Sequence, residues 1–337
     1  MIQDAIEIVV SRRNLSTDQA SDAMEQIMTG EATPAQFGAL VTALRMKGET
    51  VDEIVGMARV MREKSLHVEV EGTVVDTAGT GGDSSSSFNI STTAALVAAG
   101  AGAKVAKHGN RAMSGSTGSA DVLEALGVNI ALSPEAVARC IDEIGFGFMF
   151  AQGFHPSMRF AAGPRREIGI RTVFNILGPL TNPAGADRQV IGVADPSLAR
   201  RMAEALGRLG SQKALIVHGI DGIDELSISA STSVWNLENG MVTETEVTPP
   251  ELGLQRAALE SIQIDSPESS AAMARGVLTG EYGPARDVVL MNASAALVAA
   301  DVAADLVEGV ELAARSIDHG RAIAKLDELV ELSQSLE

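Results

Sequence analysis

The sequence has very little cysteine, and its first residues do not form an apolar leader. Cys140 is the single cysteine in 337 residues, which excludes a disulfide bond within the chain. It lies in a helical pattern with no histidine nearby, so we expect it to be a buried packing residue. Asp4 and Glu7 stand where a secretory signal would be apolar. We therefore expect a cytoplasmic protein.

Positive charge is also scarce. The chain has 26 Lys and Arg against 44 Asp and Glu, a formal net charge of -18. Nonspecific binding to nucleic acid or to an anionic membrane needs a positive surface, so this charge argues against both partners. Any anion that the protein binds must therefore meet a local concentration of positive charge.

Long apolar runs are absent from the sequence as well. Lys104 and Lys107 end the alanine-rich stretch that begins after Thr93, and two aspartates interrupt the one after Ala295. A membrane-spanning helix needs about 18 or more apolar residues in succession, so we expect no membrane segment. With 45% hydrophobic and 21% charged residues, the composition is that of a globular protein. The length suggests two domains.

The first part of the chain is predicted to be helical. A Ser or Thr followed by Gln or Glu three residues later is a capping box, which marks the start of a helix. Three such pairs recur at a 17-residue interval: Ser16 with Gln19, Thr33 with Gln36, and Thr50 with Glu53. Apolar residues then follow at helical spacing. We expect a small all-helical domain at 1–66, to which segment 164–186 returns.

From about residue 70 the pattern predicts an α/β fold. Short β-branched runs alternate with alanine-rich helical ones, which favours a central, mostly parallel sheet flanked by helices. The predicted strands are 73–75, 103–107, 146–150, 189–193, 214–217 and 288–291, with an antiparallel hairpin at 233–237 and 242–247 around an Asn-Gly turn. We assign 70–163 and 187–337 to this larger domain.

A glycine-rich loop follows the first predicted strand. The run from Gly79 to Asp83 reads GTGGD, and a helical pattern begins near Asn89. Glycines allow sharp turns that expose backbone N–H groups, and a helix N-terminus adds partial positive charge, so this order favours an anion cradle. The spacing fits neither a dinucleotide fingerprint nor a Walker loop. A purely structural turn is the alternative.

The stretch around this loop is the chain's local exception to its acidity. The 37 residues between Asp83 and Asp121 contain no Asp or Glu but include Lys104, Lys107 and Arg111. Ligands of open α/β sheets bind at the carboxyl ends of strands. We therefore expect a polyanion, such as a sugar phosphate that carries a diphosphate, at this edge; a solvated Ser/Gly loop is the alternative.

Two further groups of residues complete the candidate site. Asp224 and Glu225 lie in a glycine-flanked loop after an apolar strand, where adjacent carboxylates facing phosphates suggest Mg²⁺. Planar guanidinium groups bind carboxylates in two-point fashion, so one arginine of a basic stretch is a candidate for a carboxylate substrate. That stretch contains Arg159, Arg165, Arg166, Arg171 and Arg188. His67, His155 and His319 receive no role.

Taken together, the motifs resemble one enzyme family. They read DTAGTGGD at 76–83, FNIST at 88–92, KHGNR at 107–111, GSADVLEALG at 118–127, RTVFNILGPLTNP at 171–183 and DE at 224–225. Their order and content are similar to the anthranilate phosphoribosyltransferase family over essentially the whole chain. The resemblance implies a helical domain hinged to an α/β domain, usually in a homodimer.

The resemblance also implies the reaction and its cofactor. The phosphoribosyl group of 5-phosphoribosyl 1-diphosphate (PRPP) would pass to the amine of anthranilate in tryptophan biosynthesis, with release of diphosphate. The family requires Mg²⁺, with about two ions per subunit. The amine is already a free nucleophile, so charge stabilisation and positioning rather than a general base are expected to dominate.

Carried over position by position, the resemblance assigns roles to particular residues. Lys107, Asp224 and Glu225 would be catalytic; Ser91, Asp224 and Glu225 would ligate magnesium; and Gly79, Asn110 and Arg165 would bind anthranilate. The positions matching the PRPP site are Gly79, Gly82, Asp83, Ser87, Asn89, Ile90, Ser91, Thr92, Lys107, His108, Gly109, Asn110, Arg111, Ala112, Met113, Ser114, Gly115 and Ser119.

Some positions depart from the family pattern, and two other functions stay open. Ser84, Ser87 and Gly115 replace the usual Gly, Thr and Ser. Gly115 lacks a side-chain donor but keeps its backbone N–H, so we expect activity to survive. A pyrimidine nucleoside phosphorylase would share the architecture but not the KHGNR run. A catalytically inactive relative that binds nucleic acid conflicts with the net charge.

Overall fold

The computed structural model describes residues 1–83, 85–112 and 117–336. The helices are α1 (Ile2–Val10), α2 (Thr17–Met28), α3 (Pro34–Lys47), α4 (Val51–Glu63), α5 (Ile90–Gly100), α6 (Ser119–Ala125), α7 (Pro134–Ile144), α8 (Ala151–Phe154), α9 (Arg159–Ile168), α10 (Val173–Leu177), α11 (Ala199–Arg208), α12 (Pro267–Leu278), α13 (Pro284–Ala299), α14 (Leu306–Asp318) and α15 (Arg321–Ser335). The strands are β1 (Val75–Gly79), β2 (Val105–Gly109), β3 (Phe146–Phe150), β4 (Arg188–Gly192), β5 (Lys213–Gly219), β6 (Thr232–Glu238) and β7 (Met241–Val247).

The three predicted capping boxes are confirmed. Ser16, Thr33 and Thr50 each accept a hydrogen bond from the backbone N–H three residues later, at the starts of α2, α3 and α4. These bonds satisfy N–H groups that a helix cannot satisfy internally, so they fix where each helix begins. Within the described residues, no helix is long and apolar enough to cross a membrane.

The seven strands form one sheet in the order β3-β2-β1-β4-β5-β6-β7. The strands from β1 to β5 run parallel, and β6 and β7 add an antiparallel hairpin at one edge. The chain order reverses between β1 and β4, which is where open α/β sheets bind ligands. The predicted fold class, a helical N-terminal part followed by a mostly parallel sheet flanked by helices, is confirmed.

One predicted strand is wrong. Residues 288–291 lie inside α13, and the hairpin is confirmed. Of the other five predicted strands, 146–150 matches β3 at both ends, those for β2, β4 and β5 have displaced ends, and 73–75 shares only Val75 with β1. Helix α13 is buried on nearly all sides, against α5 and α14 among others. A helix without a solvent face has no polar stripe, so its short apolar runs cannot be told from a buried strand by periodicity.

The core divides into two clusters of buried apolar residues. One lies on one face of the sheet beneath α5, α7 and α13, and it includes Cys140, which is fully buried as expected. The other joins the N-terminal helices to α11 and to the opposite face of β4, β5 and β6, and it contains Val173 and Phe174 from α10. Segment 164–186 therefore packs partly on the N-terminal helices, and the exact domain division stays a prediction.

Strands β1 and β2 diverge towards their carboxyl ends. Their ladder pairs Val75 with Val105, whereas β1 and β4 pair along their full length. Side chains bridge the gap instead: the Asp76 carboxylate accepts a bond of 3.0 Å from the backbone N–H of His108. The Asn182 amide then donates bonds of 2.8 Å to Asp76 and to the Ala106 carbonyl. Asp76 and Asn182 thereby link the two strands where their backbone pairing ends.

Candidate active site

The segments after β1 and β5 meet Lys107 of β2 and the start of α5 at the carboxyl edge of the sheet. The backbone N–H of Gly81 donates to Asp224 Oδ2 at 2.9 Å, which joins the glycine loop to the predicted metal pair. Lys107 Nζ lies 3.4 Å from the Ser91 hydroxyl at the start of α5. The structure thus brings together Gly81, Ser91, Lys107 and Asp224, which are far apart in the sequence.

Lys107 is the buried cation of this edge. It is 1% exposed, and Nζ donates to the Thr77 carbonyl and to the Thr77 hydroxyl at 3.1 Å. Burial lowers the pKa of the Lys107 ammonium, while the charges of Asp76 and Glu225 oppose that shift. A buried ammonium is tolerated only with such partners. The charge of Lys107 is therefore held in place before any ligand arrives.

Asp224 and Glu225 carry more negative charge than their surroundings compensate. Burial, and then repulsion from Asp83, raises the pKa of Asp224 to about 7. Burial and the charge of Asp224 raise the pKa of Glu225 well above its usual range. Burial is the main cause of both shifts, and repulsion between neighbouring carboxylates adds to it.

The oxygen atoms at this edge fit a magnesium ion. The Ser91 hydroxyl and the Asp224 and Glu225 carboxylates are hard oxygen donors, which Mg²⁺ prefers. Among the described residues, no group of three or more His, Cys, Asp or Glu side chains is placed to hold a metal by itself. A bound Mg²⁺ would therefore need oxygen atoms from water or from a phosphate ligand, as magnesium sites commonly do.

The glycine loop depends on close approach and on positive φ. Gly82 has a φ of +80°, where side chains are strained. A Cβ at Gly79 would lie 2.7 Å from Asp224 Oδ2, and one at Gly192 would lie 1.5 Å from the Asp224 carbonyl oxygen. Glycine at the ends of β1 and β4 therefore lets the Asp224 loop pack directly on the sheet. Burial raises the pKa of Asp83 at the end of the loop.

The N-terminus of α5 points unused polar groups into the same edge. Asn89 precedes the helix without a side-chain cap. Its Oδ1 atom and the Thr92 hydroxyl are buried and have no hydrogen-bond partner within the described residues. Buried polar groups are normally paired. The Ile90 N–H already donates to the Phe88 carbonyl at 2.7 Å, and the Ser91 N–H acts on the Glu225 carboxylate. The partial positive charge of the helix N-terminus and the Thr92 hydroxyl are therefore what the first turn offers to an anionic ligand.

The positive field expected from the acid-free stretch is smaller than the sequence suggested. Arg111 forms ion pairs with Glu124 and, at 3.0 Å, with Asp121. Lys104 pairs with Asp142 at 3.0 Å. The acids come from α6 and α7, which the sequence pattern did not place nearby. Lys107 is left as the buried cation of this stretch.

The remaining predicted PRPP residues are placed as follows. Ser119 donates to the Asn110 carbonyl at 3.3 Å, and a Cβ at Gly109 would lie 2.1 Å from the Ser119 hydroxyl. Ala112 N–H donates to Asp121 at 3.0 Å. Ser87 forms a single bridge to Gln263 outside the sheet. Ser84, Met113, Ser114 and Gly115 lie outside the described residues.

His108 of β2 packs against His155. The sequence analysis assigned no role to His155. The His108 and His155 ring centroids are 5.0 Å apart. Burial lowers the pKa of His108 to about 3 and that of His155 to about 4, so both rings are neutral at physiological pH. Both Nε2 atoms are buried without a partner in the described part of the chain. No signal in the sequence joins these two residues.

The arginines of the basic stretch separate into different environments. Arg165 is half-buried, and its guanidinium carbon lies 5.3 Å from the centroid of the Phe174 ring. Arg166 is exposed. Arg171, which received no specific role from the sequence, donates from Nη2 to the Thr80 carbonyl in the glycine loop at 3.1 Å. The cluster of arginines was the only sequence signal for that contact.

Comparison with known proteins agrees with this arrangement. Residues 3–65 match the model of the glycosyl transferase family, helical bundle domain, and residues 71–323 match that of the glycosyl transferase family, a/b domain. The chain is 56% identical over 335 residues to an anthranilate phosphoribosyltransferase of Chloroflexus aurantiacus, covering 99% of both chains. It is 57% identical over 334 residues to that of Herpetosiphon aurantiacus, covering 98% of this chain and 99% of the relative.

Solved structures give the same result. The anthranilate phosphoribosyltransferase of Thermus thermophilus superposes with a TM-score of 0.93 at 46% identity, covering 98% of this chain and 99% of that one. The Saccharomyces cerevisiae enzyme in complex with PRPP and Mg gives a TM-score of 0.92 at 28% identity, covering 99% and 98%. The chain therefore belongs to the anthranilate phosphoribosyltransferase family.

Proposed function

We propose that this protein transfers the phosphoribosyl group of PRPP to the amine of anthranilate. The products are N-(5-phosphoribosyl)anthranilate and diphosphate, and the reaction belongs to tryptophan biosynthesis. The observation that carries the proposal is the meeting of Gly81, Ser91, Lys107 and Asp224 at one edge of the sheet. That edge combines N–H donors, a buried cation and hard oxygen ligands, which a magnesium diphosphate group requires.

The diphosphate end of PRPP would bind over the glycine loop and the first turn of α5. Gly82 contributes a backbone N–H group, the N-terminus of α5 adds partial positive charge, and the Thr92 hydroxyl is buried without a partner among the described residues. Mg²⁺ would be held by Ser91, Asp224 and Glu225, and it would neutralise charge on the diphosphate oxygens. Two ions per subunit are part of the proposal, as the family resemblance implies.

Catalysis then depends on the departure of diphosphate. The anomeric C–O bond breaks with its electron pair on the leaving oxygen, and the C–N bond forms to the anthranilate amine, which later loses a proton to solvent. Lys107 and the partial positive charge at the N-terminus of α5 stabilise the charge that develops on the leaving group. No general base is needed, because the aromatic amine is already neutral and nucleophilic.

The acceptor side is assigned to Gly79, Asn110 and Arg165. An arginine matches the planar carboxylate of anthranilate. Arg165 is half-buried against Phe174, so its guanidinium is partly desolvated and its interactions are strengthened.

The setting of the enzyme is also part of the proposal. We infer a cytoplasmic homodimer with the helical domain at 1–66 and segment 164–186 hinged to the α/β domain. The second core cluster, which Val173 shares with the N-terminal helices, supports that division. Neither nucleic acid nor a membrane is proposed as a partner, in keeping with the formal charge of -18.

The test is the decay of anthranilate fluorescence on mixing with PRPP, with and without Mg²⁺. We expect decay only when PRPP and Mg²⁺ are both present. Phosphate with a pyrimidine nucleoside serves as the control, and we expect no turnover of that pair. A chain that phosphorolyses the nucleoside but leaves anthranilate unchanged would contradict the proposal. The double variant Asp224→Asn, Glu225→Gln should fold normally and lose Mg²⁺-dependent turnover.

A further inference from the structure

Arg171 contacts the glycine loop from outside it. Its Nη2 atom donates to the Thr80 carbonyl oxygen at 3.1 Å. A Cβ at Gly82 would lie 1.6 Å from Arg171 Nη1, so the guanidinium lies directly against the Gly82 backbone. No side chain larger than hydrogen fits at that position while Arg171 stays in place. Glycine at residue 82 therefore makes room for the arginine as well as for the turn.

Arg171 and Asp224 hold the same peptide group from opposite sides. The Thr80 carbonyl accepts from Arg171, and the N–H of the same peptide bond, that of Gly81, donates to Asp224 at 2.9 Å. In a trans peptide these two groups point in opposite directions. The two contacts together fix the rotation of this peptide plane, and so decide which way the N–H groups of the glycine loop face.

The base of the loop and the backbone of Arg171 are both anchored. Thr80 N–H donates to the Gly192 carbonyl at 2.9 Å, and the Thr80 hydroxyl accepts from Ala194 N–H at 3.3 Å. Arg171 immediately precedes Thr172, the buried N-cap of α10, whose N–H donates to Asn175 at 3.0 Å. Helix α10 packs on α3 and α4. Arg171 thus links the helical part of the molecule to the glycine loop.

The charge of Arg171 matters as well as its geometry. It stabilises the ionised forms of Asp83 and Asp224, which repel each other. A magnesium diphosphate group would add both positive and negative charge at this point. Arg171 is suited to keep the loop open in its absence, because a guanidinium donates hydrogen bonds and neutralises carboxylates at the same time.

We propose that Arg171 is a positioning residue that orients the Thr80–Gly81 peptide and thereby prepares the glycine loop for the diphosphate group of PRPP. The inference rests on the proposed function for the identity of that ligand. Arg171 acts through the loop and needs no contact with anthranilate. Its loss should therefore weaken the binding of one substrate only.

The test compares Arg171→Gln and Arg171→Lys with the wild type. We expect the Gln variant to raise the KM for PRPP, and the Kd for magnesium diphosphate measured by calorimetry without acceptor, by about 10-fold or more, the loss typical of one hydrogen bond to a charged group. The KM for anthranilate and kcat should stay within about twofold. The Lys variant should recover part of the loss, because it keeps the charge and one donor.

Gly82→Ala gives an independent variant, because its methyl group would displace the guanidinium. It also strains the backbone, because Gly82 has a φ of +80°. The part of its effect on PRPP binding that comes from Arg171 should vanish in the Arg171→Gln background, so the double variant should lose less than the sum of the two single variants. Arg59→Gln, at an exposed position on α4, is the matched control and should leave all constants unchanged.

Different outcomes separate this inference from the proposed function. Unchanged diphosphate binding in Arg171→Gln, or an equal loss in kcat and in both KM values together with a lower Tm, overturns the positioning role. A wild type that binds magnesium diphosphate but never consumes anthranilate overturns the proposed function, while weaker binding in the Gln variant would still support the role of Arg171.

Discussion

At the level of single residues, the paired carboxylates dominate the electrostatics of the site. Asp224 and Glu225 are held near Asp83, with Lys107 and Arg171 as the positive groups that act on them. Without a further cation this arrangement is unfavourable for folding, since each ionised carboxylate is partly desolvated next to another. The site therefore holds unfavourable charge that a ligand can relieve.

This arrangement predicts how the stability of the metal-free protein depends on pH. The pKa of Asp224 is raised by burial to about 7 in the folded chain, whereas an unfolded chain has a value near ~3.9. The folded state therefore binds the proton more tightly, and stability falls as pH rises from about 4 through about 7. In EDTA, the Tm of Asp224→Asn should fall less than that of the wild type between pH 5 and pH 8.

Thermal melts in the presence of EDTA provide the measurement, and Glu225 and Asp83 keep their own contributions in both proteins. Parallel curves for Asp224→Asn and the wild type would show that Asp224 is not protonated preferentially in the folded state. Added Mg²⁺ should reduce the difference at pH 8, because it binds the ionised form.

A second residue-scale prediction concerns the acceptor. Arg165→Ala should raise the KM for anthranilate by about 10-fold or more, because a charge-assisted contact to the carboxylate is lost. Arg166→Ala is the matched control: the residue is adjacent but exposed, so its constants should stay close to those of the wild type. Steady-state kinetics of both variants, with each substrate varied in turn, would test the assignment of Arg165 to anthranilate. A change confined to PRPP would contradict the assignment of Arg165.

Some residues of the site were open to prediction from sequence and others were not. Asp224 and Glu225 could be predicted because they follow an apolar strand in a glycine-flanked loop. The structure places Asp224 against a different loop, the glycine-rich loop after β1. The role of Arg171 could not be predicted, because its partner Thr80 is 91 positions away in the chain. The pairing of Arg111 with acids of α6 could not be predicted either, because it depends on how α6 packs.

At the level of elements, the ends of strands carry the site. Gly192 ends β4, and a Cβ there would lie 1.5 Å from the backbone oxygen of Asp224. Neither partner is a flexible side-chain tip, so the strand and the loop would have to separate. The position of the carboxylate pair therefore depends on how closely two backbones pack.

Gly192→Ala should lower both stability and PRPP binding. We expect a loss of about 1–3 kcal/mol in the free energy of unfolding, the usual cost of overpacking, and a higher KM for PRPP because Asp224 is displaced. Gly153→Ala on α8 is the control, since a Cβ there meets no atom within 4 Å. Urea denaturation and kinetics would test it. A Gly192→Ala protein with normal stability and normal KM would show that the loop adapts freely.

The elements themselves were predictable where one side faces solvent. The capping boxes fixed the starts of α2, α3 and α4, and the Asn-Gly turn located the β6–β7 hairpin. Residues 288–291 were assigned to the wrong type because α13 is buried all round. An apolar run of four residues is compatible with either a helix or a strand, and only the packing against α5 and α14 decides between the two.

At the scale of the whole molecule, the excess of acidic residues shapes stability. A formal charge of -18 is spread over one folded chain, and like charges repel over distances of about 30 Å at 0.01 M salt but only about 8 Å at 0.15 M. Monovalent salt should therefore stabilise the protein. We expect the Tm to rise by a few degrees between these concentrations at pH 8.

Thermal melts in NaCl and in KCl without divalent ions would measure this effect, and the two salts should agree if screening is the cause. A Tm that stays flat or falls would show that the surface ion pairs, which salt weakens, outweigh the general repulsion.

The sheet order also has a consequence for synthesis on the ribosome. Strand β1 pairs along its whole length with β4, the central strand of the sheet, so that Val75 meets Arg188 and Gly79 meets Gly192. A nascent chain that has emerged only as far as β3 lacks this partner, and the glycine loop then has neither Gly192 nor Asp224 to rest on. The N-terminal helices, whose capping signals are local, can form early. The candidate site can therefore be completed only late in translation, because β1 and its glycine loop are synthesised long before β4 and Asp224.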